Sequence, residues 1–144
     1  MTTPTRVAIP RAVASLLQSA VASLEVVVDR DRMAPLALAD MPRVVVLTGE
    51  NTVVEEYVGG TQLRGQVVIV ECHDAVAEGD ANGGAEDAAA TLADTCRAAL
   101  MAARTLSGAC LGIEVDEDSS PPRVEIAEAV RGAVVVLRIV AYHT

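Results

Sequence analysis

The chain has 144 residues, the length of one compact domain spanning 1–144, and its formal charge is −9 with no lysine among 11 basic residues. The missing lysine excludes P-loop phosphate binding and Schiff-base catalysis, and the acidic balance argues against tight binding of duplex DNA. Phe and Trp are absent while 51% of residues are apolar, so the core must consist of Val, Leu, Ile and Ala. The three cysteines are far apart in the sequence, which is typical of free, buried thiols. The sequence has no apolar run long enough to cross a membrane, and we expect a soluble protein with no export signal and no membrane contact.

The first third of the chain predicts a helix and two strands. Apolar residues recur at helical spacing over Arg11 to Leu24, and Pro10 suits a first-turn position. The β-branched stretch 25–31 predicts a short strand. The run RVVVLTG at 43–49 predicts a fully buried strand that ends in a polar turn at 49–51.

The middle of the chain predicts a projecting arm, a strand and the longest helix. The segment TVVEEYVGGTQL at 52–63 suits an outward hairpin that turns at two adjacent glycines. A strand is predicted from Gln66 onward by its β-branched content. After a polar loop, the stretch 85–106 places Leu92, Cys96 and Leu100 on one helical face that suits packing against a sheet.

The last third predicts a hairpin with an acidic loop region. Its final strand, AVVVLRIVAYHT, carries one wholly apolar face and a second face that is too apolar for contact with water alone, so we expect something to cover it. The element order is therefore α-β-β-β-α-β-β. It predicts an α+β fold, in which a mixed or antiparallel sheet carries two helices on one face.

Alternating acids at the hairpin end are one candidate for chemistry. Glu114, Asp116 and Asp118 share one face of an extended chain, which is a plausible arrangement for a hard cation such as magnesium. A small acidic metal-dependent enzyme is therefore an alternative function from a different class. A solvated hairpin end kept soluble by its charge is the simpler interpretation of the same residues.

The segment ECHDA is a second candidate, but its geometry argues against a metal site. In a strand, Cys72 and Asp74 face one way while Glu71 and His73 face the other, so the four side chains cannot converge on one ion. We expect a buried structural thiol beside a surface histidine. The glycine-containing loop before the second helix lacks the Gly-x-Gly-x-x-Gly pattern of nucleotide-binding sites. The sequence also has only two histidines and no convergent set of acid and base residues, so we predict no catalytic residues, no metal and no cofactor.

The layout of the whole chain resembles the tail terminator family of long-tailed bacteriophages, the lambda-like minor tail protein U group, and related phage-like particles. The segments that carry the resemblance are TRVAIPRAVASLLQ, DRMAPLALADMPRVVVLTGEN, QVVIVECHD, DAAATLADTCRAALMAARTLSG and AVVVLRIVAYHT. The resemblance implies a non-enzymatic virion protein that forms a hexameric ring on the head-proximal end of the tail tube, stops tube polymerisation and joins the tail to the connector. The implied partners are other copies of the chain, the tail tube protein and the head-tail connector or stopper protein.

The same resemblance implies assembly in the cytoplasm of the bacterial host, with DNA passing through the ring without specific binding. Another neck or head-completion protein is the alternative within this structural class. Candidate contact residues are the polar and charged positions of the arm and of the segments before the buried strand: Arg30, Arg32, Arg43, Glu50, Asn51, Glu55, Glu56 and Tyr57.

Overall fold

The computed structural model describes residues 5–29, 42–76, 84–118, 123–126 and 130–144. They form two helices and six strands. The helices are α1 (Thr5–Ala20) and α2 (Gly84–Ala102), and the strands are β1 (Glu25–Asp29), β2 (Arg43–Glu56), β3 (Gln62–Val76), β4 (Gly112–Asp118), β5 (Arg123–Ile126) and β6 (Val130–His143). The α+β class and the α-β-β-β-α order of the first elements are as predicted.

The six strands form one mixed sheet in the order β1-β2-β3-β6-β4, with β5 also paired to β6. Strand β1 runs parallel to β2, and the other pairs are antiparallel. Strands β4 and β5 follow one another along the same edge of β6, because β3 occupies its other edge. The predicted hairpin of the last third is therefore confirmed, with β5 as an additional short strand.

Both described helices pack on one face of this sheet. Side chains alternate along each strand, so every second residue of β2, β3 and β6 points toward the helices. These residues join the buried side of both helices in one apolar cluster, whose fully buried large members include Ile9, Val13, Leu17, Val44, Val46, Val68, Val70, Leu100, Leu137 and Ile139. A core of this kind, without large rings, matches the composition.

The opposite face of the sheet is also apolar. Val67, Ile69, Val136 and Val140 are partly buried there, and neither described helix lies over them. That something covers this face stays a prediction. Neither described helix combines the length and apolar character that crossing a membrane would require.

Several predicted boundaries of helices and strands were wrong. Helix α1 begins at Thr5, before Pro10, because Ile9 continues the buried side formed by Val13 and Leu17, and it ends at Ala20 rather than at Leu24. Helix α2 ends at Ala102 rather than at Leu106. Strand β2 does not stop at the polar turn predicted at 49–51 but continues through it to Glu56, and β3 correspondingly begins four residues before Gln66.

Candidate assembly surface

The segment 52–63, called the arm below, is a two-stranded projection from the sheet. Strand β6 ends beside Arg64, which pairs with His143, so beyond this point β3 has only β2 as a described neighbour. A turn closes the arm, in which the Tyr57 N–H donates to the Thr61 carbonyl at 2.8 Å. Two glycines follow Tyr57 in this turn with φ of 97° and 87°, a conformation that side chains disfavour. The predicted hairpin and its turn are confirmed.

A β-bulge forms the base of the arm. Thr48 pairs with Val68 and Asn51 pairs with Gln66, so Gly49 and Glu50 together face the single residue Val67. A Cβ added at Gly49 would lie 2.9 Å from Val67 Cγ1 and 3.1 Å from its carbonyl oxygen, so any side chain here would force Val67 to shift.

The side chain of Gln66 holds the bulge together. Gln66 is fully buried, and its Nε2 donates to the Gly49 carbonyl at 3.1 Å and to the Val67 carbonyl at 3.0 Å. Within the described part of the chain, Gln66 Oε1 and the neighbouring Asn51 Oδ1 are buried without a hydrogen-bond donor. Such orphaned acceptors carry a desolvation cost, so the junction between the core and the arm is less stable than a fully hydrogen-bonded one.

The arm combines acidic and exposed apolar side chains. Of seven large hydrophobic side chains that are exposed among the described residues, four lie here: Val53, Val54, Tyr57 and Val58. The Tyr57 hydroxyl donates to Glu55 Oε2 at 3.3 Å, and the Gln62 amide donates to Glu56 Oε1 at 3.3 Å. The negative charge of Glu55 raises the pKa of Tyr57 above its ordinary value, because a phenolate beside this carboxylate is disfavoured.

The structure separates the predicted contact residues into two groups. Glu55, Glu56 and Tyr57 lie on the arm, while Glu50 is exposed in the bulge and Asn51 lies half-buried beside it. Arg43 lies at the opposite end of β2, where its Nη2 forms a 3.0 Å ion pair with Glu25 of β1. Arg30 and Arg32 lie outside the described residues.

A cleft beside α1 is a feature that sequence reasoning missed. Its volume is about 660 Å³, and it lies between the first two turns of α1, the end of β1 and the middle of β2. The residues that line it are Arg6, Val7, Pro10, Arg11, Val28 and Thr48. The two arginines are exposed, and no described carboxylate pairs with either of them. The signal in the sequence is the helical stripe 6, 7, 10 and 11, which becomes visible only when α1 is known to begin before Pro10.

Two of the three acids at the end of the last hairpin lie beside polar partners on β6. Glu114 hydrogen bonds to Tyr142 and thereby raises the pKa of that phenol, and Asp116 lies opposite Arg138 on β6. No group of three His, Cys, Asp or Glu residues among the described positions is placed to hold a metal ion. The Asp118 side chain lies outside the described set.

The ECHDA segment divides between the two faces of β3 as predicted, but its histidine is not on the surface. His73 is 4% exposed, because Arg43 and Val134 of the two flanking strands lie beside it, and its Nε2 lies 3.2 Å from Glu71 Oε1. On the core face, Cys72 hydrogen bonds to the Cys96 thiol of α2. This hydrogen bond and burial both raise the pKa of Cys72, so the buried structural thiol is confirmed.

The described elements define a two-layer α+β protein with a projecting arm and an arginine-lined cleft. No protein-family model matches the sequence, and no curated protein matches it. Among solved structures, the chain is similar to a chain from the virion of a native gene transfer agent particle, with 18% identity and a TM-score of 0.34, over 98% of this chain and 99% of that one.

Proposed function

We propose that this chain is a structural protein of a phage-like particle that assembles as a homo-hexameric ring and caps the head-proximal end of a tail tube. The ring stops tube polymerisation and joins the tail to the head-tail connector. In this proposal the whole of 1–144 acts as one tail-terminator-like domain, without catalysis or cofactor.

The observation that carries this proposal is the composition of the arm. Val53, Val54, Tyr57 and Val58 are exposed along this hairpin, whereas the apolar residues of the helices and central strands are mostly buried. Soluble monomers rarely expose contiguous apolar surface, and such patches usually mark a contact with another protein. In a structural protein whose subunits contact one another through extended segments, this arm would form such a contact.

The charge of the chain also supports a ring around DNA. At −9, six copies line a channel with a strongly negative potential, which repels the phosphate backbone and lets DNA pass without being held. The partly buried apolar side chains on the second sheet face provide further surface for neighbouring subunits, for the tube protein or for the connector.

Mass measurement tests the ring. Light scattering after size exclusion, with native mass spectrometry, is expected to give about 89 kDa, six times the chain mass of 14.9 kDa, and negative-stain images should show closed rings. A chain that remains monomeric at high concentration, with and without tube protein, would contradict the proposal.

Capping is tested by co-assembly with the tail tube protein of the same particle. Added rings should shorten the tubes in proportion to ring concentration, and rings should be seen at one tube end only. Rings that bind the connector but leave tube length unchanged would instead indicate a neck or head-completion protein.

A further inference from the structure

The arm and the cleft carry complementary chemistry on the same chain. The arm presents two carboxylates, from Glu55 and Glu56, next to an exposed tyrosine and an exposed valine at its tip. The cleft presents two exposed guanidinium groups beside an apolar wall. Each surface therefore lacks what the other supplies.

We infer that the cleft receives the arm of a second copy of this chain tip first, so that Glu55 on one face of β2 and Glu56 on the other each pair with one of the two arginines, Arg6 and Arg11. Tyr57 and Val58 then pack against the apolar wall formed by Val7, Pro10 and Val28. This contact rests on the proposed self-assembly and specifies the residues through which neighbouring subunits hold one another.

A chain cannot fill its own cleft with its own arm. Thr48 lines the cleft and pairs with Val68, and Glu56 at the far end of β2 pairs with Gln62, six residues away along β3. At about 3.3 Å per residue of β3, the pairing of β2 with β3, which resumes after each register shift, holds the arm tip about 20 Å beyond the cleft. The strands would have to separate for the tip to fold back, so the occupant comes from another molecule.

A free phosphate or a nucleic acid fits the cleft less well than the arm does. Two arginines attract any anion, but the half-buried Val7 and the exposed Val28 (40% exposed) would remain in contact with water beside a phosphate. The net charge of −9 also repels polyanions at longer range. The arm satisfies both the arginines and the apolar wall.

The volume of the cleft agrees with this occupant. About 660 Å³ lies within the range of roughly 300–1,000 Å³ that is usual for sites enclosing a small ligand, so it accommodates a few side chains of a hairpin tip. Because the arm and the cleft are different surfaces of each copy, the contact is heterologous and can repeat from copy to copy until a ring closes.

Charge reversal tests the pairing, with each side of the contact changed in a different chain. The cleft variant is Arg6→Glu with Arg11→Glu, and the arm variant is Glu55→Arg with Glu56→Arg. Each variant alone places like charges against each other, so its self-association should weaken at least about tenfold in sedimentation experiments at low salt. In an equimolar mixture every arm meets a cleft of opposite charge, and assembly should return to within about threefold of wild type.

The matched control carries the same kinds of charge change elsewhere. Asp94→Arg on α2 and Arg104→Glu after α2 are exposed positions outside both surfaces, and each should assemble like wild type. All changed side chains are exposed, and recovery in the mixture itself shows that the variants are folded. A cysteine pair, Arg11→Cys in one chain and Tyr57→Cys in another, should give a cross-linked dimer band only when the two chains are mixed.

The outcomes separate this contact from the ring proposal. Variants that assemble alone like wild type, or a mixture that does not recover, overturn the arm-in-cleft contact while any observed ring stands. If the mixture of variants recovers assembly but forms closed dimers or open filaments, the arm-in-cleft contact is supported and the proposed hexameric ring is contradicted. A wild-type chain that never self-associates, with or without tube protein, overturns both the contact and the proposed ring.

Discussion

Replacing Gln66 with alanine should destabilise the protein and loosen the arm, because one buried side chain connects the core to the bulge. The substitution removes two hydrogen bonds to backbone carbonyls, at 3.1 and 3.0 Å. Each contributes about 0.5–1.5 kcal/mol, and truncation at a fully buried position adds a cavity cost of about 1–2 kcal/mol.

One contribution to the change in free energy of unfolding acts in the opposite direction. Gln66 Oε1 is buried without a described donor, and its removal returns about 1 kcal/mol. The expected net loss in free energy of unfolding is therefore about 2–3 kcal/mol, which corresponds to a fall in Tm of about 5–10 °C for a chain of this size. Gln66→Leu fills the volume and removes the orphaned oxygen, so its loss should be only about 1 kcal/mol.

Urea unfolding measures the stability, and amide hydrogen exchange reports on the arm. Both Gln66 variants should speed exchange at 52–63 more than in the central strands, because the bulge loses its anchor. The control is Gln62→Ala on the same strand, which breaks only exposed or partly buried side-chain hydrogen bonds and should stay within about 0.5 kcal/mol of wild type. If Gln66→Ala changes stability no more than this control does, the anchoring role is refuted.

Three further predictions concern other sites. Gly49→Ala should cost about 1–3 kcal/mol in urea unfolding, because its Cβ would press on Val67, and a neutral result would show that the bulge can relax. Tyr142 and Tyr57 both have raised pKa values, so absorbance at 295 nm should show both ionising above pH 10. The stability that the raised tyrosine pKa values contribute is fully present below pH 10 and falls as the pH rises further. Glu114→Gln should lower the pKa of Tyr142 but not that of Tyr57, and an unchanged titration of Tyr142 would argue against its hydrogen bond to Glu114. The three cysteines are buried, so a thiol reagent should react with them only after unfolding, and rapid reaction in the native protein would contradict this burial.

The parts of the fold that could be predicted are those with a strong local pattern. The alternation of side chains in β6 and the apolar stripe of α2 each predict which side of the element is buried. The two adjacent glycines that follow Tyr57 and Val58 predict the turn of the arm. These signals arise within a few residues of the chain, so no knowledge of neighbours was needed.

The missed features depend on strand neighbours that are distant in sequence. Gly49–Asn51 looks like the end of a strand, and only the pairing with Val67 turns it into a bulge. His73 looks exposed until β2 and β6 are placed on either side of it. The cleft requires an early start of α1 beside Val28 and Thr48, a juxtaposition that no local pattern encodes.

The bulge at Gly49 and Glu50 also makes the length of the arm independent of the core. One extra residue resets the alternation of side chains, so the two faces of the arm are not constrained by the faces of the buried strands. Inserting or removing two residues per strand beyond the bulge changes the reach by about 7 Å and preserves which side chains face each way. The reach of the arm can therefore change by insertion or deletion to match partners of different size, while Gln66 and the core remain untouched.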